Sequence, residues 1–201
     1  DQSKKISQNG IEIPLPFAVG INASQYQRMD ANADGEEEWV VWDINARRVL
    51  VFEEISGEFK YLLEMSYFFP NDINGFLILA DFNLDGKKDL FTSSPFGIKA
   101  YKNVSNSGDS FPKWEVAQNF LRLENGSNLT ANNLDIPMIM DIDGDGDLDI
   151  ASFNLGDYVD FYLNTSVERK GTADIDAFAF PEPWWGRFEF CGCGTFSFGI
   201  T

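Results

Sequence analysis

One nine-residue pattern, Asp-x-[Asp/Asn]-x-Asp-Gly-x-x-[Asp/Glu], occurs three times, at Asp30–Glu38, Asp81–Asp89 and Asp141–Asp149. Side-chain oxygens stand at its first, third, fifth and ninth positions: Asp30, Asn32, Asp34 and Glu38; Asp81, Asn83, Asp85 and Asp89; Asp141, Asp143, Asp145 and Asp149. The sixth position is always glycine, at Gly35, Gly86 and Gly146. This is the ligand spacing of a calcium loop. Calcium takes six to eight oxygen ligands at about 2.3–2.6 Å, and the glycine lets the chain turn sharply around the ion. Position seven offers only its backbone carbonyl. Residues as different as Glu36, Lys87 and Asp147 can therefore stand there.

Short apolar runs flank the loops. Phe76–Ala80 precedes the second and Ile136–Met140 the third, and Trp39–Trp42, Leu90–Phe91 and Ile150–Phe153 follow the three in turn. They are rich in β-branched and aromatic residues, so they predict strands. An EF-hand would need a long helix on each side and a Glu at position twelve, where Val41, Thr92 and Ser152 stand instead. The expected setting is strand–loop–strand, with few helices. Hairpins are expected at Val40–Asp43 into Val49–Glu53, at Leu90–Ser93 into Ile98–Lys102, and at Ile150–Phe153 into Tyr158–Leu163. Third strands are expected at Phe59–Glu64 and Trp114–Ala117. The motif starts at 30, 81 and 141 lie 51 and 60 residues apart. Such a period points to a β-propeller or another repeat array.

At Asp81–Leu90 and Asp141–Ile150 the chain resembles the FG-GAP/VCBS repeat family, the blades of integrin-α-type propellers. The likeness spans residues 10–170 or so, and its first motif departs from the pattern by ending in Glu38 rather than Asp. The resemblance implies an all-β fold of four-stranded antiparallel blades, with a structural calcium ion in the loop joining two neighbouring strands. Units are expected at about 10–65, 66–125 and 126–175, with a partial one at 176–201. Propellers close with four to eight blades. An incomplete propeller is therefore expected, its open edge covered by further blades or by a protein partner. Trp184, Trp185, Phe188 and Phe190 are the expected contact. The alternative is that these rings fold back as a terminal cap.

Acidic residues number 32 against 15 basic, a net charge of −17. Ten of the carboxylates stand at the side-chain ligand positions of the three loops, so much of the excess is localised ligand charge. This balance argues against nucleic acid, whose recognition rests on Lys and Arg. No apolar stretch has the ~20 residues of a membrane helix. Asp1-Gln-Ser-Lys-Lys carries no apolar leader core, so any export signal is expected to be removed or to lie outside this sequence. Extracellular calcium loops bind weakly, with Kd near about 10⁻⁴–10⁻³ M, and fill only where calcium is plentiful. A secreted or cell-surface location is the expectation.

The chain has no histidine, which removes Ser-His and Cys-His pairs and the histidine base. A glycosidase-like carboxylate pair stays open, because its spacing exists only in the fold. Two functions from different classes are carried forward. One is a non-catalytic, calcium-stabilised adhesion or assembly module binding protein or glycan, with cell-surface or outer-membrane machinery as partner. The other is the scaffold or accessory domain of a carbohydrate-active enzyme. Cys191 and Cys193 leave a disulfide or two packed thiols open. Asn22, Asn103, Asn125, Asn128 and Asn164 begin Asn-x-Ser/Thr triplets, which in a eukaryotic secreted protein would be glycan acceptors on surface loops. The 19 phenylalanines are expected mainly in the core.

Overall fold

The computed structural model describes residues 6–12, 20–131, 135–154, 158–192 and 194–199. It is mostly β and divides into two compact units. The first unit is Asp1–Asn71 with Ser105–Lys113, and the second is Asp72–Val104 with Trp114–Thr201.

The first unit opens with a short hairpin, β1 (Ser7–Gln8) and β2 (Ile11–Glu12). Asn9 and Gly10 between them both have positive φ, the signature of the mirror-image turn that matches strand twist. A four-stranded antiparallel sheet follows: β3 (Ser24–Met29), β4 (Glu38–Asp43), β5 (Arg48–Ile55) and β6 (Glu58–Tyr61), in that spatial order. The predicted hairpin is the β4–β5 pair, with Trp39 opposite Phe52 and Asp43 opposite Arg48. Val40, Val41 and Trp42 of β4 and Val49, Leu50 and Val51 of β5 are all buried. Both faces of these strands are thus shielded from water, which is why they read as unbroken apolar runs. The predicted strand over Phe59–Glu64 ends at Tyr61, because Leu63–Ser66 winds into one helical turn, α1, that buries Met65. Phe68 stacks on Phe111 at 4.1 Å.

The second unit holds two main sheets and a terminal two-stranded one. One has β7 (Leu77–Ala80), β8 (Asp89–Ser94), β9 (Gly97–Asn103) and β10 (Trp114–Gln118), ordered β10-β9-β8-β7. The other has β11 (Met138–Met140), β12 (Asp149–Phe153) and β13 (Val159–Tyr162). Alongside β13, Phe161 and Glu182 exchange backbone hydrogen bonds of 3.1 and 2.8 Å, and the Ala179 N–H donates to Leu163. The segment around 178–182 therefore serves as a rudimentary fourth strand. After β13 come α2 (Ser166–Lys170) and a last hairpin, β14 (Phe188–Phe190) with β15 (Phe196–Phe198).

Phe76, Phe91, Ile98, Leu121, Leu129, Ile150 and Phe178 form the fully buried centre of this unit. Burial of each such side chain contributes about 1.5–3 kcal/mol. The phenylalanines divide, however: Phe96 and Phe180 are each 64% exposed and Phe198 79%. Trp184 packs edge-on against Tyr158 at 5.4 Å and Trp185 stacks on Phe161 at 5.3 Å, so the aromatic segment folds back on the last sheet. Among the described residues, no helix is long and apolar enough to cross a membrane. Cys191 is exposed, and Cys193 lies outside the described residues.

Candidate metal sites

All three acidic loops occupy one place in the topology. Each joins the first strand of a sheet to the second: β3 to β4, β7 to β8, and β11 to β12. Each also folds by the same side-chain-to-backbone ladder. The first Asp accepts from the glycine N–H at position six, at 2.9 Å for Asp30, 2.8 Å for Asp81 and 3.2 Å for Asp141. The residue at position three accepts from the N–H at position five, at 3.0, 3.1 and 3.2 Å for Asn32, Asn83 and Asp143. The fifth Asp accepts from position seven, at 2.9, 3.1 and 3.0 Å for Asp34, Asp85 and Asp145. The first Asp engages both oxygens in the turn, the other one accepting from the Asp34, Asp85 and Gly144 N–H at 3.1, 3.2 and 2.7 Å, whereas the fifth Asp spends one oxygen on the ladder and keeps a second.

The backbone explains two residue choices. Gly35, Gly86 and Gly146 all have positive φ, as the sharp turn requires. Position four is also left-handed. Ala33 and Leu84 tolerate it at φ 56 and 55, whereas Gly144 adopts it without a Cβ penalty at φ 88.

Position nine is the buried pivot. Glu38 is 3% exposed, and Asp89 and Asp149 are fully buried. One oxygen of each accepts from the N–H at position two: Ala31 at 2.9 Å, Phe82 at 3.1 Å and Ile142 at 3.0 Å. Asp89 and Asp149 use the other oxygen at the end of the third strand, on the Asn103 N–H in the last residue of β9 and the Asn164 N–H just past β13, each at 2.8 Å. Burial pushes both carboxyls up to about 6, against those hydrogen bonds and with further upward pressure from neighbouring loop carboxylates, Asp85 and Asp81 for Asp89 and Asp143 for Asp149. Glu38 is raised too, first by burial and then by Asp34 and Asp30. Burial also raises Asp147, helped by Asp145 and Asp143. Desolvation and like charge disfavour the ionised form, and a bound cation would relieve both.

The third loop gathers its carboxylates most closely. Asp141, Asp143 and Asp149 offer oxygens within 4.8 Å of one another, and so do Asp143, Asp145 and Glu168 of α2. Among the described residues these are the groupings of three able to hold a metal ion. Asp145 Oδ2 is buried with no hydrogen-bond partner. An acceptor shut away from water without a donor fits a cation better than it fits an empty loop. Asp147, named for its carbonyl, turns its side chain elsewhere: Oδ2 accepts from Ser166 Oγ at 2.8 Å and Val167 N–H at 2.9 Å. In the second loop, Lys87 Nζ and Lys102 Nζ each lie 3.7 Å from Asp85 Oδ2, partly offsetting its charge. In the first, Asn32 Nδ2 donates to Asp34 at 2.9 Å and to Glu38 at 3.4 Å, and Glu36 contributes to the ladder through its backbone.

Sequence reasoning missed Asn103 and Asn164 as site residues and noted them only as Asn-x-Ser triplets, which in a eukaryotic secreted protein would be surface glycan acceptors. They are 2% and 0% exposed. Their amides donate to the position-eight carbonyls, Lys88 O and Leu148 O, each at 3.2 Å. The signal was present in the chain: Asn-x-Ser recurs 14 residues after Asp89 (89 to 103) and 15 after Asp149 (149 to 164). The first sheet breaks this rule. Its register makes Glu54 the counterpart, and that side chain serves Trp39 Nε1 at 2.9 Å and Arg28 at 2.6 Å.

Within the second unit lies a cleft of about 740 Å³. Phe96, Phe153 and Tyr158 supply aromatic faces, and Asn154 and Asp160 are joined at 3.1 Å. No Lys or Arg is among its described lining residues. Gly97 fixes one wall, since a Cβ there would meet the Leu129 carbonyl oxygen at 2.2 Å.

No protein-family model, no curated protein and no solved structure matches the chain. Fold and site define a class by themselves: a mostly β chain whose three main sheets each carry an acidic loop of one turn geometry, the third of which gathers carboxylates that could hold a metal ion.

Proposed function

We propose that the chain is a run of FG-GAP/VCBS-type propeller blades whose loops hold calcium. It serves as a non-catalytic, calcium-stabilised adhesion or assembly module of a secreted or cell-surface protein. The observation that carries this reading is the one ladder repeated at one topological position in three sheets, ending each time on a buried carboxylate. Contact between the first strands of neighbouring sheets, β7 and β11, supports a blade-like arrangement. Calcium suits the sites better than magnesium. The donors are oxygens on a curved backbone with room for water, whereas magnesium demands near-ideal octahedral geometry and keeps its waters.

In this reading Asp81, Asn83, Asp85 and Asp89, with the Lys87 carbonyl, hold one ion. Asp141, Asp143, Asp145 and Asp149, with the Asp147 carbonyl, hold another. Asp30, Asn32, Asp34 and Glu38, with the Glu36 carbonyl, form a third. The ions pin the hairpins and the chain presents surfaces, among them the aromatic cleft at Phe96, Phe153 and Tyr158, to a protein or glycan ligand.

Calcium titration of the chelator-stripped chain by calorimetry tests the reading. Two or three sites, with a melting temperature that rises with calcium and less with magnesium, support it. Identical melting with calcium and with chelator overturns it. Product release from a polysaccharide panel would replace the binding module by a carbohydrate-active enzyme.

A further inference from the structure

The cleft of the second unit brings together side chains that the acidic loops leave unused. The turn between β8 and β9, from Ser94 to Gly97, forms one wall, and the ends of β12 and β13 form another. Its volume of about 740 Å³ falls within the ~300–1,000 Å³ of small-molecule sites. Three of its rings are each braced edge-to-face by a second ring that is not part of the lining. Phe96 meets Phe120 at 6.2 Å, Phe153 meets Phe188 at 6.4 Å and Tyr158 meets Trp184 at 5.4 Å. The bracing fixes the rings without covering them, since Phe96 is 64% exposed and Phe153 40%. A ligand therefore meets a preformed aromatic surface and spends little on ordering it.

Polar groups stand between these rings. Ser152 of β12 lies directly opposite Asp160 of β13, so their side chains share one face of the sheet, and Tyr162 follows on that face two residues on. Asn154 Nδ2 donates to Asp160 Oδ1 at 3.1 Å and so orients the carboxylate. Among the described residues Asp160 has no Lys or Arg partner, and Oδ2 is left to accept. Ser152 is only 5% exposed, and its hydroxyl reaches nothing nearer than the Phe153 carbonyl at 3.4 Å. An O–H···O bond is normally about 2.5–3.0 Å, and a hydroxyl buried this deeply is almost always paired. A donor and an acceptor thus stand side by side in the cleft with capacity unspent. Ser94, Asn128 and Thr130 add further neutral polar groups to the lining.

We infer that this cleft is a binding site for a neutral saccharide. The inference rests on the binding-module reading above and names the ligand class of that module; it does not depend on the calcium assignment. A sugar ring offers an apolar C–H face to an aromatic surface and, around its edge, hydroxyls that both donate and accept, which is the mixture this lining provides. Phosphate, sulfate and uronate groups need a cation, and no Lys or Arg is among the described lining residues. A wholly apolar ligand would cover Ser152 and Asp160 without pairing them, at a desolvation cost. An ammonium ion would use Asp160 and the rings but leave the hydroxyls and amides of Ser94, Asn128 and Ser152 without a role.

Calorimetric titration of the full chain in calcium with cellotetraose, laminaritetraose, mannotetraose and xylotetraose tests this, with tetragalacturonate and choline chloride run alongside. Wild type, Phe96→Ala and Asp160→Asn are compared. At least one neutral tetrasaccharide is expected to bind the wild type. Each substitution should weaken that binding about tenfold, equal to about 1.4 kcal/mol, while the calcium-dependent rise in melting temperature stays as in wild type. Tetragalacturonate and choline should not bind. The inference is overturned if no neutral tetrasaccharide binds at millimolar concentration, or if binding is indifferent to both substitutions. It is also overturned if choline binds in their place and loses its affinity in Asp160→Asn, which would make the cleft a cation site. Calcium uptake without saccharide binding sinks this inference alone. Release of reducing ends from the bound tetrasaccharide overturns the non-catalytic reading and leaves the ligand class standing.

Discussion

The Asn164 amide donates to the Leu148 and Asp174 carbonyls at 3.2 and 2.7 Å, and its Oδ1 accepts from the Ser166 N–H at 3.1 Å. One buried side chain therefore joins the acidic loop, the start of α2 and the segment beyond it. Asn164→Ala strands the Leu148 carbonyl and the Ser166 N–H, each costing about 1–3 kcal/mol if left unpaired, while the Asp174 carbonyl keeps the Ser166 hydroxyl at 3.2 Å. A loss of about 3 kcal/mol or more in urea unfolding is expected; a loss below about 1 kcal/mol would show that water replaces the amide. In a glycosylating host, intact-mass analysis of Asn103 and Asn164 should find both unmodified, because their amides face carbonyls and not solvent. Gly97 is a second single-residue lock. At φ +139, with the Leu129 carbonyl 2.2 Å from a Cβ position, Gly97→Ala should cost about 2–4 kcal/mol and leave calcium affinity unchanged.

At the scale of the element, each loop balances repulsion against its turn ladder. Without metal, Asp89 and Asp149 sit at about 6 in the folded chain, whereas an unfolded Asp titrates near ~3.9. The folded state therefore binds more protons between those values, and stability falls as pH rises through that window. The contribution is fully present below the unfolded value and lost as pH passes about 6. The EGTA-treated chain should melt higher at pH 5 than at pH 7, and Asp89→Asn should flatten that dependence. A pH profile identical in wild type and variant would contradict the assignment. Calcium reverses the sense, because it needs the ionised form. Metal at a hundredfold excess over Kd adds about 2.7 kcal/mol per site. Asp145→Ala should blunt the calcium response of the melting temperature more than Asp34→Ala. Asp145 keeps a buried, unpartnered oxygen, whereas Asn32 already bonds the corresponding oxygen of Asp34.

At the scale of the whole molecule, the net charge of −17 concentrates in hairpin connections, and the aromatic residues divide between core and surface. Sequence spacing located the loops, the strands after them and their hairpins because each depends on local chemistry. Asp, Asn and Gly fold a turn using their own side chains, and alternate or continuous apolar runs mark strands wherever they occur. The strand before the first loop, Ser24–Met29, was not legible. Its residues are mostly polar, and it is a strand because β4 supplies its hydrogen bonds. The same holds for the segment around 178–182, which is extended because β13 leaves an edge to pair.

What the sequence determined by itself was therefore the mostly β class, the three acidic loops and the placing of their side-chain oxygens and turn glycines, since these rest on contacts a few residues apart. Only the tertiary structure decided that Asn103 and Asn164 are buried anchors, that Glu168 stands over the third loop, and that Trp184 and Trp185 fold onto Tyr158 and Phe161. Each of these depends on register between strands or on a segment returning from far along the chain. Burial and proximity of that kind belong to the assembled sheets and leave no periodic trace in the order of residues.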